Sequence, residues 1–234
     1  MEYQPKIKIC GLTREIEADY LNEFQVDYAG FVFFEKSKRN ISMEKALKIK
    51  KCLALHIKTV AVTVEPEESL WREIEAAGFD VIQVHQGKEI VPEQNDPPTL
   101  RKDLFSYWDT PAGIVLLKQG KLPIWQAVNV SEANNEQIVT TMQYATNRIC
   151  GYVLDGPKAG SGQAFSWEEF PKEFYQEKGD KLFILAGGLH TGNVEAAIKS
   201  LHPDVVDVSS GVEGDTGKSK EKIGEFVAGV RRMF

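Results

Sequence analysis

Short apolar runs, each followed by a longer amphipathic stretch, recur along the whole chain. Runs of this length, bounded by turn residues, are typical of buried strands in a parallel sheet, and the stretches between them carry helical spacing. They predict strands at residues 7–10, 28–33, 60–64, 81–84 and 149–154, and at the runs that begin with Phe183 and Val205. Because strands and helices alternate without the signature of an antiparallel hairpin, the pattern indicates a parallel α/β fold.

Helix starts are marked by hydroxyl side chains, which can accept hydrogen bonds from the first free backbone N–H groups of a helix. Thr13 is predicted to cap a helix that ends near Phe24, and Ser42 is predicted to open one over residues 43–52. Further helices are predicted over residues 66–77, 131–146 and about 220–233.

The stretch from residue 86 to residue 123 is harder to assign. Asn95-Asp96-Pro97-Pro98 must form a loop, and residues 99–108 are compatible with a helix. Residues 113–117 and 124–130 are both apolar, so either can be the fifth strand and the other an insertion. Counted this way there are eight strand–helix units, which predict a closed (β/α)8 TIM barrel with its active groups at the carboxyl ends of the strands.

The chain of 234 residues is long enough for one large core or for two small domains. No linker rich in Gly, Ser or Pro divides it, and the strand–helix rhythm continues to its end. Since a single barrel takes roughly 250 residues, we expect one (β/α)8 barrel domain over residues 1–234.

Charge and composition narrow the range of partners. The formal net charge is -6 without a long run of Lys or Arg, so no nucleic-acid partner is expected. There is no run of about 18 apolar residues and no signal peptide at the start, so no membrane partner is expected. Three widely spaced cysteines, Cys10, Cys52 and Cys150, fit a reducing cytoplasm, and the four histidines lack metal-ligand spacing, so no metal site is expected.

Glycine-bearing turns follow the last three predicted strands. A glycine at a strand end lets a ligand approach the backbone N–H groups, because no Cβ is in the way. Barrel enzymes commonly bind phosphate with such donors after strands seven and eight. We therefore predict a phosphate site built by three neighbouring turns, with these residues: Gly160, Ser161, Gly162, Gly187, Gly188, Ser210 and Gly211.

Two side chains at strand ends have the chemistry of proton transfer. Cys10 ends the first strand and Asp155 ends the sixth, so both would face the open mouth of a barrel. A thiol and a carboxylate across a cavity can serve as general base and general acid. Taken singly, Cys10 is more typical of a small core residue, and Asp155 of a turn residue before Gly156-Pro157. It is their shared position at strand ends that favours the functional interpretation.

Two further side chains are candidates for binding a ligand. His85 ends the fourth strand and can face the mouth or take a partly buried structural role. Arg39 lies in the loop after the second strand, where its guanidinium could fork onto a ligand carboxylate. Composition alone favours the other interpretation, a solvated loop arginine beside Lys36 and Lys38.

Seven short motifs are spaced along nearly the whole chain, except for residues 88–123. They are Lys8-Ile9-Cys10-Gly11-Leu12-Thr13, Ser37-Lys38-Arg39-Asn40-Ile41-Ser42, Gln83-Val84-His85, Leu154-Asp155, Gly160-Ser161-Gly162-Gln163-Ala164-Phe165-Ser166-Trp167, Leu185-Ala186-Gly187-Gly188-Leu189 and Val206-Asp207-Val208-Ser209-Ser210-Gly211-Val212-Glu213. In this order they resemble the phosphoribosylanthranilate isomerase family of tryptophan biosynthesis.

The resemblance implies a (β/α)8 barrel that isomerises N-(5-phosphoribosyl)anthranilate by an Amadori rearrangement, without a metal or an organic cofactor. It implies that Cys10 is the general base for the C2′ proton, Asp155 the general acid for the ribose ring oxygen, and Arg39 the ligand of the anthranilate. The phosphate would lie on the glycine turns. Cys10 would have to be partly thiolate, which a helix N-terminus or a nearby cation could arrange. The partner is a small phosphoribosyl substrate, and the chain would be a monomer or a homodimer.

Some positions depart from the family pattern, and two other functions are alternatives to this isomerase. Gln86 follows His85 where the family usually has glycine, Ser166 and Ser219 replace common aspartates, and Gln126 stands where a basic residue is common. A related sugar isomerase of histidine biosynthesis uses aspartates for both proton transfers, so Cys10 argues against it. A catalytically idle phosphate-binding barrel would not need Cys10, Asp155 and Arg39 together.

Overall fold

Eight parallel strands close into a barrel in which each strand pairs with the next and the last pairs with the first. This arrangement is seen in a computed structural model that describes residues 3–86, 107–129, 148–155 and 173–232. The closed parallel barrel confirms the predicted fold class. The strands are β1 (Lys6–Cys10), β2 (Tyr28–Phe33), β3 (Lys58–Val64), β4 (Val81–His85), β5 (Ile124–Asn129), β6 (Ile149–Asp155), β7 (Leu182–Leu185) and β8 (Val205–Val208).

Helices follow the strands in the described ranges and cover the outside of the barrel. They are α1 (Ile16–Glu23), α2 (Met43–Cys52), α3 (Glu68–Ala76), α4 (Pro111–Gln119), α5 (Glu173–Glu177), α6 (Val194–Leu201) and α7 (Lys220–Arg231). The helix predicted over residues 131–146, most of residues 99–108 and the turn at residues 160–162 lie outside the described residues. No helix in the described ranges is both long and apolar enough to cross a membrane.

Successive side chains along each strand point alternately into two hydrophobic layers, because neighbouring residues of a strand face opposite sides of the sheet. One set of side chains points inward and fills the barrel, with Trp125 and Tyr28 in edge contact at a centroid distance of 5.0 Å. Gly151 makes room for this packing, since a Cβ there would come within 3.0 Å of Trp125. The other set, such as Phe31, packs outward against the helices and their loops.

Two predicted segments are confirmed and one helix start is wrong. Strand β2 and helix α2 have the predicted bounds, and the Ser42 hydroxyl accepts a hydrogen bond from the N–H of Lys45 at 3.3 Å. Helix α1 begins only at Ile16, and Thr13 does not cap it. The buried Glu17 carboxylate accepts the N–H of Thr13 at 2.7 Å, so Thr13 donates to a side chain of the helix and does not accept from the helix backbone.

The two alternatives for the fifth strand are resolved by the pairing of the sheet. Ile124–Asn129 is the strand β5, which lies between β4 and β6. The other apolar run is not an insertion but part of α4, which Thr110 caps by accepting the N–H of Gly113 at 3.1 Å. Pro111 at the first helical position supports this start, because its missing N–H would have had no partner there.

A short antiparallel hairpin follows β8, and the expectation of a chain without hairpins is wrong at this point. Strands β9 (Glu213–Gly214) and β10 (Gly217–Lys218) have two residues each, too few for an alternating pattern to appear in the sequence. Arg14 holds the hairpin from outside by donating to the Thr216 hydroxyl and to the Lys218 carbonyl, both at 3.0 Å.

Aspartates stabilise the amino-terminal edge of the barrel by a repeated contact. Asp27, Asp80 and Asp204 each precede an even-numbered strand, and each carboxylate accepts the backbone N–H of a residue on the odd-numbered strand before it. Asp80 accepts both the N–H and the hydroxyl of Thr59 at 2.7 Å. These bonds hold neighbouring strands in register at the edge that lies away from the mouth.

We expect Asp80→Ala to lower the free energy of unfolding by about 1–3 kcal/mol, because it leaves the buried Thr59 N–H without that acceptor. Urea unfolding followed by circular dichroism measures the change. The matched control is Asp180→Ala, in an exposed turn, which should change stability by less than about 0.5 kcal/mol. Equal unfolding midpoints for Asp80→Ala and the unmodified chain would contradict the proposed contribution of this contact.

Candidate functional site

A cavity of about 390 Å³ opens at the carboxyl ends of the strands. Its floor is made by inward-pointing side chains at the strand ends, and its rim by the loops that follow β2, β7 and β8. The lining residues used below are Cys10, Lys36, Ser37, Lys38, Arg39, Gln83, His85, Asp155, Gly187, Gly188, Leu189, Asp207, Ser209 and Ser210.

Most of the candidate residues from the sequence meet in this one cavity. Cys10, Arg39, His85 and Asp155 line it together with the turn residues Gly187, Gly188 and Ser210. The reason is the strand register: Cys10, His85 and Asp155 occupy inward positions at the carboxyl ends of β1, β4 and β6. Gly160, Ser161 and Gly162 lie outside the described residues, so their predicted place stays a prediction.

Gly211 lies near the cavity but is not among the described residues that line it. A Cβ on Gly211 would collide with the Leu189 carbonyl oxygen and come within 3.0 Å of the His190 Cα. Its missing side chain therefore lets the loops after β7 and β8 pack against each other. Gly211 was predicted to let a ligand approach its backbone, but the group that lies against its Cα is the backbone of the neighbouring loop.

The turn after β7 is shaped for exposed donors. Gly187 and Gly188 have φ angles of 75° and 68°, which favour glycine. Asn193 holds the turn by donating to the Gly188 carbonyl at 2.9 Å and accepting the His190 N–H at 2.8 Å. Within the described residues, the N–H groups of Gly187 and Gly188 have no protein acceptor, so they remain available to a ligand.

A chain of buried polar side chains crosses the barrel beneath the cavity. The Lys8 ammonium is fully buried and contacts the Asp207 carboxylate at 2.6 Å and the Gln83 amide oxygen at 3.0 Å. The Gln83 nitrogen lies 2.8 Å from Nε2 of His85. The chain therefore links β8, β1 and β4, and it ends at a histidine on the cavity wall.

This chain determines the charge state of its members. Burial lowers the pKa of His85 to about 4, with help from the Lys8 charge, so His85 is neutral at physiological pH. Burial would also lower the pKa of Lys8, but the Asp207 carboxylate and the Cys10 sulfur together raise it above its ordinary value. Burial raises the pKa of the Cys10 thiol, and the Lys8 charge opposes this rise. A helix N-terminus and a nearby cation were the two possible ways to stabilise a thiolate at Cys10, and Lys8 is a cation near it.

Arg39 does not extend freely into the mouth, because Glu213 of the hairpin holds it. Arg39 Nε and Nη2 donate to the two Glu213 oxygens at 2.5 and 3.1 Å, a forked ion pair. Gly11, with a φ of 83°, lets the Arg39 side chain lie directly over the backbone that follows Cys10. A forked pair with a carboxylate was predicted for Arg39, but this carboxylate belongs to the protein.

Glu213 also holds a second buried cation. Lys218 contacts Glu213 at 2.9 Å and donates to the Ser209 carbonyl at 3.0 Å, and the Ser209 hydroxyl donates to the Cys10 carbonyl at 2.9 Å. Burial alone would raise the pKa of Glu213, but the hydrogen bond from Arg39 and the charge of Lys218 lower it to about 2. The loops after β2 and β8 are therefore tied together by one carboxylate, and Ser209 links them to the end of β1.

Five residues of the site were not predicted from the sequence: Lys8, Gln83, Asp207, Glu213 and Lys218. A signal for two of them was present: Lys8 and Asp207 are charged residues inside short apolar strands, and a charge in such a place needs a partner. Glu213 and Lys218 had no comparable signal, because charged residues are common in loops.

Comparison with known proteins agrees with this geometry. The family model described as N-(5'phosphoribosyl)anthranilate (PRA) isomerase matches residues 7–101 and 110–229. The chain is also 34% identical to the N-(5'-phosphoribosyl)anthranilate isomerase of Clostridium acetobutylicum over 233 residues, which covers 97% of this chain and 98% of that protein.

Solved structures give the same grouping. Phosphoribosyl anthranilate isomerase in complex with reduced 1-(o-carboxyphenylamino)-1-deoxyribulose 5-phosphate has a TM-score of 0.72 and 26% identity, over 97% of this chain and 99% of that one. A structure of monomers of the dimeric enzyme from Thermotoga maritima has a TM-score of 0.71 and 28% identity, over 97% of this chain and 99% of that one.

We expect Glu213→Gln to lower the unfolding free energy at pH 7 by about 2–3 kcal/mol, following the depressed carboxyl pKa. That contribution is present above the ordinary glutamate pKa of about 4.3 and is lost as the pH falls through about 2. Urea unfolding at several pH values should therefore show the variant and the unmodified chain converging towards pH 2. Glu35→Gln, on an exposed residue of the same region, is the control, and a gap independent of pH would contradict this account.

Proposed function

The chain belongs to the N-(5'-phosphoribosyl)anthranilate isomerase family, and from that membership we propose how its residues carry out the reaction. The protein is an isomerase of tryptophan biosynthesis that converts N-(5-phosphoribosyl)anthranilate to 1-(2-carboxyphenylamino)-1-deoxyribulose 5-phosphate. The observation that carries the proposal is that a thiol and a carboxylate from separate strands line one cavity.

The rearrangement needs only proton transfers at neighbouring atoms of the ribose. Asp155 donates a proton to the ring oxygen, which opens the ring and leaves an iminium at C1′. Cys10 then removes the proton from C2′, and the electron pair of that bond forms the enolamine that becomes the ketone. Strands β1 and β6 are separated by β7 and β8, so the two groups reach the substrate from different sides.

Arg39 is proposed to bind the carboxylate of the anthranilate. Glu213 uses Nε and Nη2 of its guanidinium, and within the described residues no protein acceptor is bonded to Nη1. Glu213 thus fixes the direction of the guanidinium while a donor remains for the substrate. Lys36 and Lys38 line the same cavity, so its rim is locally positive although the whole chain carries a net charge of -6.

The phosphate is proposed to bind the backbone of the loops that follow β7 and β8. The available N–H groups of Gly187 and Gly188 support this, as does Ser210 of the adjacent loop on the cavity wall. Backbone donors fixed by strands need little reordering to bind an anion. Gly160, Ser161 and Gly162 are proposed to complete the site from the loop after β6.

The assembly and the cellular location are proposals of the same kind. A monomer or a homodimer is proposed, and the dimeric enzyme of Thermotoga maritima supports the second alternative. A cytoplasmic location is proposed because Cys10, Cys52 and Cys150 are free thiols.

The assay that tests the function follows the fluorescence of N-(5-phosphoribosyl)anthranilate, which should disappear when the protein is added. Cys10→Ser and Asp155→Asn should each lower kcat by about 10²-fold or more, because positioned acid–base groups contribute roughly 10²–10⁴-fold. Cys52→Ser and Asp180→Asn, on exposed residues, are the matched controls and should retain full turnover. Near-normal kcat in either test variant removes that residue from the mechanism.

Binding of the two halves of the substrate separates the carboxylate site from the phosphate site. Arg39→Ala should weaken anthranilate binding by about 1.5–3 kcal/mol, the range for a hydrogen bond to a charged group, and leave ribose 5-phosphate nearly unaffected. Gly188→Val should weaken the binding of ribose 5-phosphate and leave anthranilate nearly unaffected, because the valine side chain would enter the space for the anion. Calorimetric titration measures both.

Gly179→Val is the control for backbone strain, since Gly179 has a φ of 53° and open space around it. It should not change the binding of either ligand. If Arg39→Ala and Gly188→Val weakened both ligands equally, the two halves of the cavity would not have the separate roles proposed here.

A further inference from the structure

Lys8 lies two residues before Cys10 on β1, so both side chains point into the barrel. A Cβ on Gly30 of the neighbouring strand would come within 2.9 Å of the Cys10 sulfur and within 3.2 Å of Lys8 Cε. The sulfur and the end of the Lys8 side chain therefore lie side by side over the bare backbone of Gly30. Asp207 and Gln83 hold the ammonium in place from two other strands.

Other ionisable groups surround the sulfur from each packed element. They are Asp207 of β8, Lys218 of β10, His85 of β4, Asp155 of β6, and Lys36, Lys38 and Arg39 of the loop after β2. Burial raises the pKa of the thiol, the Lys8 charge opposes this most strongly, and the Asp207 carboxylate reinforces it. Lys218 acts in the same direction as Lys8 with a smaller effect.

We propose that Lys8 is a positioning residue for the isomerisation, whose buried ammonium stabilises the Cys10 thiolate, and that Asp207 limits this effect by sharing the charge. The proposal rests on the role of Cys10 as the general base. In the step concerned, one proton passes from ribose C2′ to the sulfur, and the electron pair of the C–H bond stays on the substrate. Lys8 keeps its own proton and changes only how readily the sulfur ionises.

The geometry predicts that replacing Lys8 and replacing Asp207 shift the pH at which the Cys10 thiol ionises in opposite directions. Lys8→Met removes the cation and leaves the Asp207 anion, so the thiol should ionise at a higher pH. Asp207→Asn removes the anion and leaves the cation, so the thiol should ionise at a lower pH. The double variant Lys8→Met/Asp207→Asn leaves no unpaired buried charge, and it should fall between the unmodified chain and Lys8→Met.

The experiment measures the rate of Cys10 alkylation by iodoacetamide against pH, with peptide mass spectrometry to identify the modified residue. A Cys52→Ser/Cys150→Ser background removes the other two thiols. The half-point is the pH at which the alkylation rate reaches half of its maximum. We expect it to rise in the order Asp207→Asn, background, double variant, Lys8→Met. Between background and Lys8→Met the shift should be at least about one pH unit, which is about tenfold less thiolate at a given pH. The pH profile of kcat/KM should follow the same order.

A purely structural ion pair gives a different result. The half-point of Cys10 alkylation would then shift in the same direction in both single variants, or activity would be lost without any shift of the half-point. Either outcome overturns the proposal. If Lys8→Met does not fold, the double variant and Asp207→Asn still test it, because half-points equal to the background would overturn it. If alkylation follows the predicted order but kcat/KM does not, Lys8 controls the thiol and the role of Cys10 as base is wrong.

Discussion

The buried ion pair between Lys8 and Asp207 lies at the point where the barrel closes. The two residues are partners in the register of β1 and β8, the strands that join the beginning of the sheet to its end. A slip of one residue would turn every side chain of a strand to the other face and would place these charges among the outward apolar residues. Because an unpaired buried charge costs about 3–5 kcal/mol, the pair favours one register.

The same pair gives the base of the cavity its electrostatic character. A fully buried ammonium lies below a thiol that burial alone would keep protonated. Burial lowers the pKa of His85, and the charge of the same ammonium lowers it further. A neutral imidazole can take part in hydrogen bonds at the cavity wall without adding a second cation. The contact that closes the barrel therefore also controls the charge states of two side chains in the site.

A second carboxylate organises the rim. Glu213 contacts Arg39 from the loop after β2 and Lys218 from the hairpin after β8, so one acidic side chain connects two loops that differ widely in sequence position. Arg14 and Glu17 hold the hairpin from behind. The rim is thus kept in shape by ion pairs within the protein, and the cations that face the cavity have fixed directions before a substrate arrives.

Much of the fold could be predicted from the order of residues alone. Strands buried on both faces appear as apolar runs, so β2 has the expected bounds and β8 the expected start. The capping hydroxyl of Ser42 and the helix α2 are local features of the same kind. The failures have physical causes: the N–H of Thr13 is bound by Glu17 and Thr13 does not cap α1, and the hairpin after β8 is too short to have a period. The fifth strand could be identified only from its pairing with neighbouring strands, because an apolar run is compatible with a strand or a helix.

The sequence by itself determined the candidate acid and base, because Cys10 and Asp155 end strands, and all parallel strand ends meet at one mouth. Only the tertiary structure decided which charges act on them. Lys8 and Asp207 are 199 residues apart, and Arg39 and Glu213 are 174 residues apart. No local pattern encodes such a pairing, because the energy of an ion pair depends on distance and burial, and both arise only when the barrel closes.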